Sequence, residues 1–134
     1  MLILLYHKAK YIYTMAYYNK KQNKYGAVKQ TFNGRSYHSK KEAAYAQDLY
    51  LLQKAGEIKE IIPQFKLELN VNGLHICNYY MDFVTIDNED VQTLHEVKGF
   101  ETPLWRLKWK LTQALLEAGE IPRIEKDAKL LLIK

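Results

Sequence analysis

Cysteine is nearly missing: Cys77 is the only one in 134 residues, which excludes a disulfide framework and every zinc-type cysteine spacing. With three prolines and six glycines there is no low-complexity segment or internal linker, and no repeat is visible. Long apolar runs are absent too. Met1 to Tyr6 is apolar but lacks a basic leading segment and runs straight into His7, Lys8 and Lys10, so it reads neither as a secretory signal nor as a membrane span. The four histidines, His7, His38, His75 and His95, show no ligand spacing, which excludes a histidine metal site and a His-metal-finger nuclease. What remains is a chain that needs no staple, since a domain of this length buries roughly two-thirds of its unfolded surface. It reads as a cytoplasmic, soluble, single-domain protein.

Acidic residues are missing from the first 41 positions. That stretch holds nine bases (Lys8, Lys10, Lys20, Lys21, Lys24, Lys29, Arg35, Lys40, Lys41) for a local net of +9, while the remaining eleven bases and fifteen acids leave −4. Eight of the eleven tyrosines also precede residue 46. Cations interleaved with rings suit a nucleic-acid backbone, the cations displacing counterions and the rings stacking on bases. A solvated basic tail is the alternative. If about five of these bases touch phosphates, log K falls against log salt with a slope near −4.5. Residues 1–23 are read as a basic, Tyr-rich leading segment, residues 1–14 as upstream of a second start at Met15, and 24–134 as one domain.

Turn chemistry marks the elements. Asn33-Gly34 and Asn72-Gly73 favour tight hairpin turns. Ser39-Lys40-Lys41-Glu42 is a capping box, with Ser39 bonding the Glu42 amide and Glu42 reaching back to the Ser39 amide. The spacing predicts a helix from about Lys40 to Ala55, with Tyr45, Leu49 and Leu52 inward and Gly56 as its left-handed stop. Phe65 to Val71 alternates as a strand begun by Pro63; Leu74 to Ile86, apolar on both faces, reads as central; Val91 to Lys98 follows the polar loop after Asp87. Thr102 and Pro103 open a second helix with Leu104, Leu107, Leu111, Ala114, Leu115 and Ala118 as its core stripe, ended by Gly119. Leu130 to Ile133 reads as a fully buried last strand. The sum is an α/β fold around a mixed sheet.

Asp82 lies in the most apolar strand, where an unpaired carboxylate costs several kcal/mol. Glu96 and Lys98, two apart, share a face of the next strand. If the loop between the strands is 87–91, paired positions place Glu96 opposite Asp82; a loop one residue shorter puts Glu96 on the wrong face. The favourable register sets the two carboxylates about 5 Å apart at Cβ, close enough to share one hard cation. The competing reading is a buried Asp82–Lys98 salt bridge with Glu96 solvated. Glu42 likewise has two readings, a helix cap or an additional ligand.

Five pieces in order, Ser39-Lys40-Lys41-Glu42-Ala43, Pro63-Gln64-Phe65, Asp82-Phe83, Glu96-Val97-Lys98-Gly99 and Arg106-Leu107-Lys108-Trp109-Lys110-Leu111, resemble a small phage- and prophage-borne branch of the PD-(D/E)XK nucleases, described as restriction-endonuclease-like or Holliday-junction-resolvase-like. Met81 stands where the superfamily name has proline. The resemblance spans about Lys24 to Leu116 and implies a restriction-endonuclease-like αβββαβ core: a mixed central sheet flanked by helices, preceded here by the basic segment and a short β-hairpin. It implies that Asp82, Glu96 and the carbonyl of Val97 ligate Mg²⁺ or Mn²⁺ with Glu42 assisting, that Lys98 positions the attacking water, and that the protein is a metal-dependent DNA endonuclease acting on branched recombination or replication intermediates as a homodimer in a bacterial host cell.

Candidate DNA contacts are Lys20, Lys21, Lys24, Lys29, Arg35, Lys40, Lys41 and Gln64, with Arg106, Lys108 and Lys110 on the second helix. Trp105 and Trp109, four apart, read as packing. The other function class is a non-catalytic DNA-binding or accessory module on the same fold, separated from the first by metal-dependent cleavage.

Overall fold

The computed structural model describes residues 30–134. The basic leading segment, the second start at Met15, and Lys20, Lys21, Lys24 and Lys29 lie outside the described residues. Two compact units divide at Leu51/Leu52.

In the first unit, β1 (Gln30–Phe32) and β2 (Arg35–Tyr37) form a two-stranded antiparallel sheet. Its turn is the expected one, with Asn33 at φ 49° and Gly34 at φ 75°, both in the left-handed region that Asn-Gly tolerates. Helix α1 (Lys40–Lys54) follows. Ser39 Oγ accepts from the Glu42 N–H at 3.1 Å, as the capping box requires. The return bond differs from expectation: Glu42 Oε2 accepts from the amide of His38, not Ser39, at 3.2 Å. The same oxygen lies 3.9 Å from the His38 ring, so one carboxylate oxygen serves both groups. Tyr45 and Leu49 are buried as predicted. The helix ends in a Schellman motif, Gly56 N–H to Gln53 O and Glu57 N–H to Leu52 O, with Gly56 at φ 80°.

The second unit contains β3 (Ile58–Val71), β4 (Leu74–Asp87), β5 (Gln92–Val97), α2 (Pro103–Ala118) and β6 (Lys129–Ile133). Strand order is β3-β4-β5-β6, with the first two pairings antiparallel and β5-β6 parallel. The sheet is therefore mixed, and β4 is central between β3 and β5. A strand–helix–strand crossover is what a parallel neighbour needs. Pro63 does not start its strand; β3 begins at Ile58. An edge strand tolerates an internal proline because one flank has no ladder to break. β6 is the opposite edge, so Leu130 to Leu132 are only half-buried rather than enclosed.

The core gathers Leu67, Leu69, Tyr79, Met81, Val84, Leu94, Trp105, Leu115 and Leu116. Helix α2 is capped as its sequence predicts: Thr102 accepts from the Trp105 amide, Pro103 occupies the first turn and Gly119 closes in the left-handed conformation at φ 69°. Its inward face is rotated from the expected stripe. Trp105, Thr112, Leu115 and Leu116 are buried, while Leu104 and Leu107 are 62% and 64% exposed. Trp105 sets this rotation, because its ring fills the core and its indole N–H requires an inward acceptor. Among the described residues no helix is long and apolar enough to cross a membrane.

Candidate active site

The hairpin joining β4 and β5 takes the register that brings the acids together. Val84 pairs with Leu94 and Phe83 with His95, and the Asp87 N–H bonds the Val91 carbonyl across the loop. Continuing one rung sets Asp82 opposite Glu96 on one face. The side chains agree: Asp82 Oδ2 accepts from the Val97 N–H at 2.7 Å. In a strand the N–H and C=O of one residue point to the same edge, so the Val97 carbonyl is also directed toward β4. Lys98, two residues beyond Glu96, brings Nζ to 3.9 Å from Glu96 Oε1.

A local distortion aims Asp82. Gln64 sits at φ 52° inside β3, in the position across from Asp82, since Pro63 pairs with Phe83 and Phe65 with Met81. On either side of this point the face that meets the core changes parity: Met81 and Val84 both enter the core cluster, and Ile62 and Phe65 both pack against it. A regular strand would not present residues three apart to one side. The twist is why odd-numbered Tyr79 and even-numbered Glu96 converge on the same indole. A non-glycine residue held in the left-handed region costs on the order of 1 kcal/mol and concentrates at functional sites.

Glu96 is 5% exposed, which overturns the reading of a solvated strand residue. Its Oε1 accepts from Trp105 Nε1 at 3.1 Å, and the same N–H also donates to the Tyr79 hydroxyl at 2.8 Å. Its Oε2 is buried without a hydrogen-bond partner. Burial, and after it the charge of Asp82, push the Glu96 carboxyl up to about 8, with Lys98 pulling the other way. The Tyr79 hydroxyl is also raised, by burial and then by Glu96. Lys98 Nζ lies 5.2 Å from the Trp105 ring centre, a cation–π distance, and Trp109 stacks on Trp105 at 5.5 Å. Trp105 and Tyr79 thus belong to the site. The four-residue spacing of Trp105 and Trp109 reads as packing, which Trp105 also does; the detectable signal is its place three residues after the Thr102 cap and seven after Lys98.

The remaining candidates fall in both units. Glu42 is buried at the head of α1 in the first unit, occupied with its cap. Lys40 and Lys41 flank it half-buried, and Arg35 is exposed on β2. Lys108 donates from Nζ to the Asn78 carbonyl at 3.2 Å. Arg106 and Lys110 are exposed on α2, Arg106 pairing with Glu101 at 3.5 Å. His95 is buried beside Thr85 at 2.8 Å, and burial lowers its basicity to about 3, which fixes it as neutral.

A hard divalent cation fits this donor set on two counts. Glu96 Oε2 is a buried carboxyl oxygen with no hydrogen-bond partner, and Asp82 holds the register position across from Glu96, close enough for its charge to act on that carboxyl. Among the described residues no group of three or more His, Cys, Asp and Glu side chains could hold a metal. A site of two carboxylates, one carbonyl, water and substrate oxygens matches Mg²⁺ or Mn²⁺ better than zinc or calcium, which require fuller protein shells.

A family model described as "Protein of unknown function (DUF1064)" matches residues 22–127, and the chain belongs to that family. Neither the curated proteins nor the solved structures give a match.

Proposed function

We propose that this protein is a divalent-metal-dependent DNA endonuclease with Asp82, Glu96 and Lys98 at its centre, held on a restriction-endonuclease-like αβββαβ core. The observation that carries this reading is the orphaned, buried Glu96 Oε2 beside Asp82 and Lys98. A carboxylate held in an apolar strand with one unbonded oxygen is costly, and a shared cation removes that cost.

Asp82 and Glu96 would hold the ion, with the Val97 carbonyl completing the protein side. When bound, Mg²⁺ or Mn²⁺ supplies a water of lowered pKa and neutralises charge on a phosphodiester oxygen. Lys98 contributes a fixed positive charge beside the acids, where it binds the scissile phosphate, orients the attacking water and offsets the charge that develops in the transition state. Trp105 and Tyr79 hold Glu96 in one rotamer. The basic first 41 residues favour a polyanionic substrate; Arg35, Lys40 and Lys41 are its described members.

Plasmid, linear, forked and four-way DNA incubated with Mg²⁺, Mn²⁺ or EDTA tests the activity. Cleavage that requires the metal supports the enzyme; DNA binding with no metal-dependent cleavage assigns the fold to a binding module instead. Trp105→Phe provides a finer check. It keeps a ring beneath Lys98 but removes the N–H that holds Glu96, and loss of such an outer hydrogen bond weakens metal binding by about 10-fold or more. Mn²⁺ titration by calorimetry reads this directly, and an unchanged Kd would reduce Trp105 to a packing residue.

A further inference from the structure

Beside its buried face α2 carries an apolar stripe that the core leaves largely uncovered. Leu104, Leu107, Leu111, Ala114 and Ala118 follow one another at steps of three, four, three and four, the a/d repeat of a coiled-coil seam over two heptads. Leu104, Leu107, Ala114 and Ala118 are exposed and Leu111 is half-buried at the border with the core face. The polar arc of the helix is reduced to Arg106, Lys110, Gln113 and Glu117. Isolated exposed leucines need no explanation, but a heptad-spaced row is an apolar face wider than the sheet covers.

Side-chain size and charge specify what covers it. Laid antiparallel on a second copy, about a twofold axis passing between Thr112 and Gln113, the helix sets Leu107 against the partner's Ala118 and Leu111 against the partner's Ala114. The four layers from Leu107 to Ala118 then each pair a large side chain with a small one, while Leu104 lies past the end of the partner helix. The same register places Lys110 beside the partner's Glu117, and by symmetry Glu117 beside the partner's Lys110, the g-to-g contact of an antiparallel pair. A parallel arrangement would set these charges against the e positions, Lys108 and Leu115. Those are taken within the chain: Lys108 donates to the Asn78 carbonyl and Leu115 is buried in the core.

We infer that α2 is a self-recognition surface, pairing antiparallel with α2 of a second copy of this chain. This goes beyond the nuclease reading and does not rest on it. Two heptads bury less than the roughly 1,600 Å² of a standard interface, so the dimer dissociates on the order of micromolar concentration.

Sedimentation velocity on the full chain, from about 1 to about 200 µM, reads the association constant. The wild-type chain is expected to pass from monomer to dimer across that range. Lys110→Glu and Glu117→Lys each weaken association by about tenfold, since each sets like charges together twice per dimer. The charge-exchanged double variant recovers to within about threefold of wild type. Leu107→Lys leaves only monomer with the helical circular dichroism unchanged, because the position is exposed and its loss does not touch the core. A wild-type chain that stays monomeric throughout overturns the inference, as does a double variant no tighter than the single ones; the second outcome would show that α2 does not meet itself in this register.

Discussion

Asp82→Asn is expected to lower metal-dependent cleavage by at least about 10³-fold, roughly 4 kcal/mol of transition-state stabilisation, while folding and DNA affinity persist. Asparagine is the informative replacement because of what Asp82 does in the hairpin: its Oδ2 accepts from the Val97 N–H at 2.7 Å. Alanine would strand that amide at a cost of about 1–3 kcal/mol and confuse misfolding with lost chemistry. An amide oxygen preserves the bond and removes only the charge. Lys98→Gln is the companion, with an expected loss of about 10²- to 10³-fold, the scale on which one charge-stabilising group is missed. Supercoiled plasmid nicking measures both, with a gel shift in EDTA confirming that substrate is still held. If Asp82→Asn cuts at the wild-type rate, the proposed ion site is wrong.

Much of this geometry is legible in the chain because it depends on parity. Asn-Gly at 72–73 fixes one hairpin; for the next, the sequence leaves two loop lengths open, and once the structure sets Val84 against Leu94, counting places Asp82 and Glu96 on a common face. The caps of α2 are equally local: Thr102, Pro103 and Gly119 act through backbone bonds within a turn. Two things were not legible. The distortion at Gln64 is imposed from across the sheet on a residue with no turn propensity of its own, and it shifts which side chains reach Trp105. The inward face of α2 differs from its leucine stripe because the leucines make a regular heptad row, whereas the core takes the indole of Trp105 and the hydroxyl of Thr112, which donates to the Lys108 carbonyl of its own helix, 2.8 Å away. Helical periodicity reports that a face is apolar; it does not report which of two apolar faces meets the sheet. Element order and sheet composition follow from the sequence, while the identification of the core with a nuclease rests on the chemistry of Asp82, Glu96 and Lys98 and on the cleavage experiment.

Glu96→Gln is expected to stabilise the metal-free protein at alkaline pH and to abolish its stabilisation by Mn²⁺. In the folded chain burial lifts the Glu96 carboxyl from 4.5 to about 8, so the native state holds a proton that the unfolded chain has released. Stability from this group is complete below the unfolded value near 4.5, falls as pH rises and is lost once pH passes about 8. His95 works in the other direction: burial lowers it from 6.5 to about 3, so its contribution is present above 6.5 and lost as pH falls. Among the described residues Glu96 dominates the slope between pH 6.5 and 8.5, since Asp48, raised by burial to about 6, has released most of its proton by then; with about 1.4 kcal/mol per unit the metal-free wild type loses about 2 kcal/mol across that interval. For a domain of this size that is a fall in Tm of roughly 5–10 °C. Glu96→Gln removes the slope, and its thermal melt at pH 8.5 lies above that of the wild type. Saturating Mn²⁺ raises the wild-type Tm at pH 8.5 by mass action on the native state and leaves the variant unmoved. A wild-type melt that is flat between pH 6.5 and 8.5, or a variant that gains as much from Mn²⁺ as the wild type, would place the ionised carboxylate elsewhere. A residue that is destabilising when its ion is absent and required when the ion is present has been retained for chemistry rather than for folding, and the sign of this one slope reads that distinction.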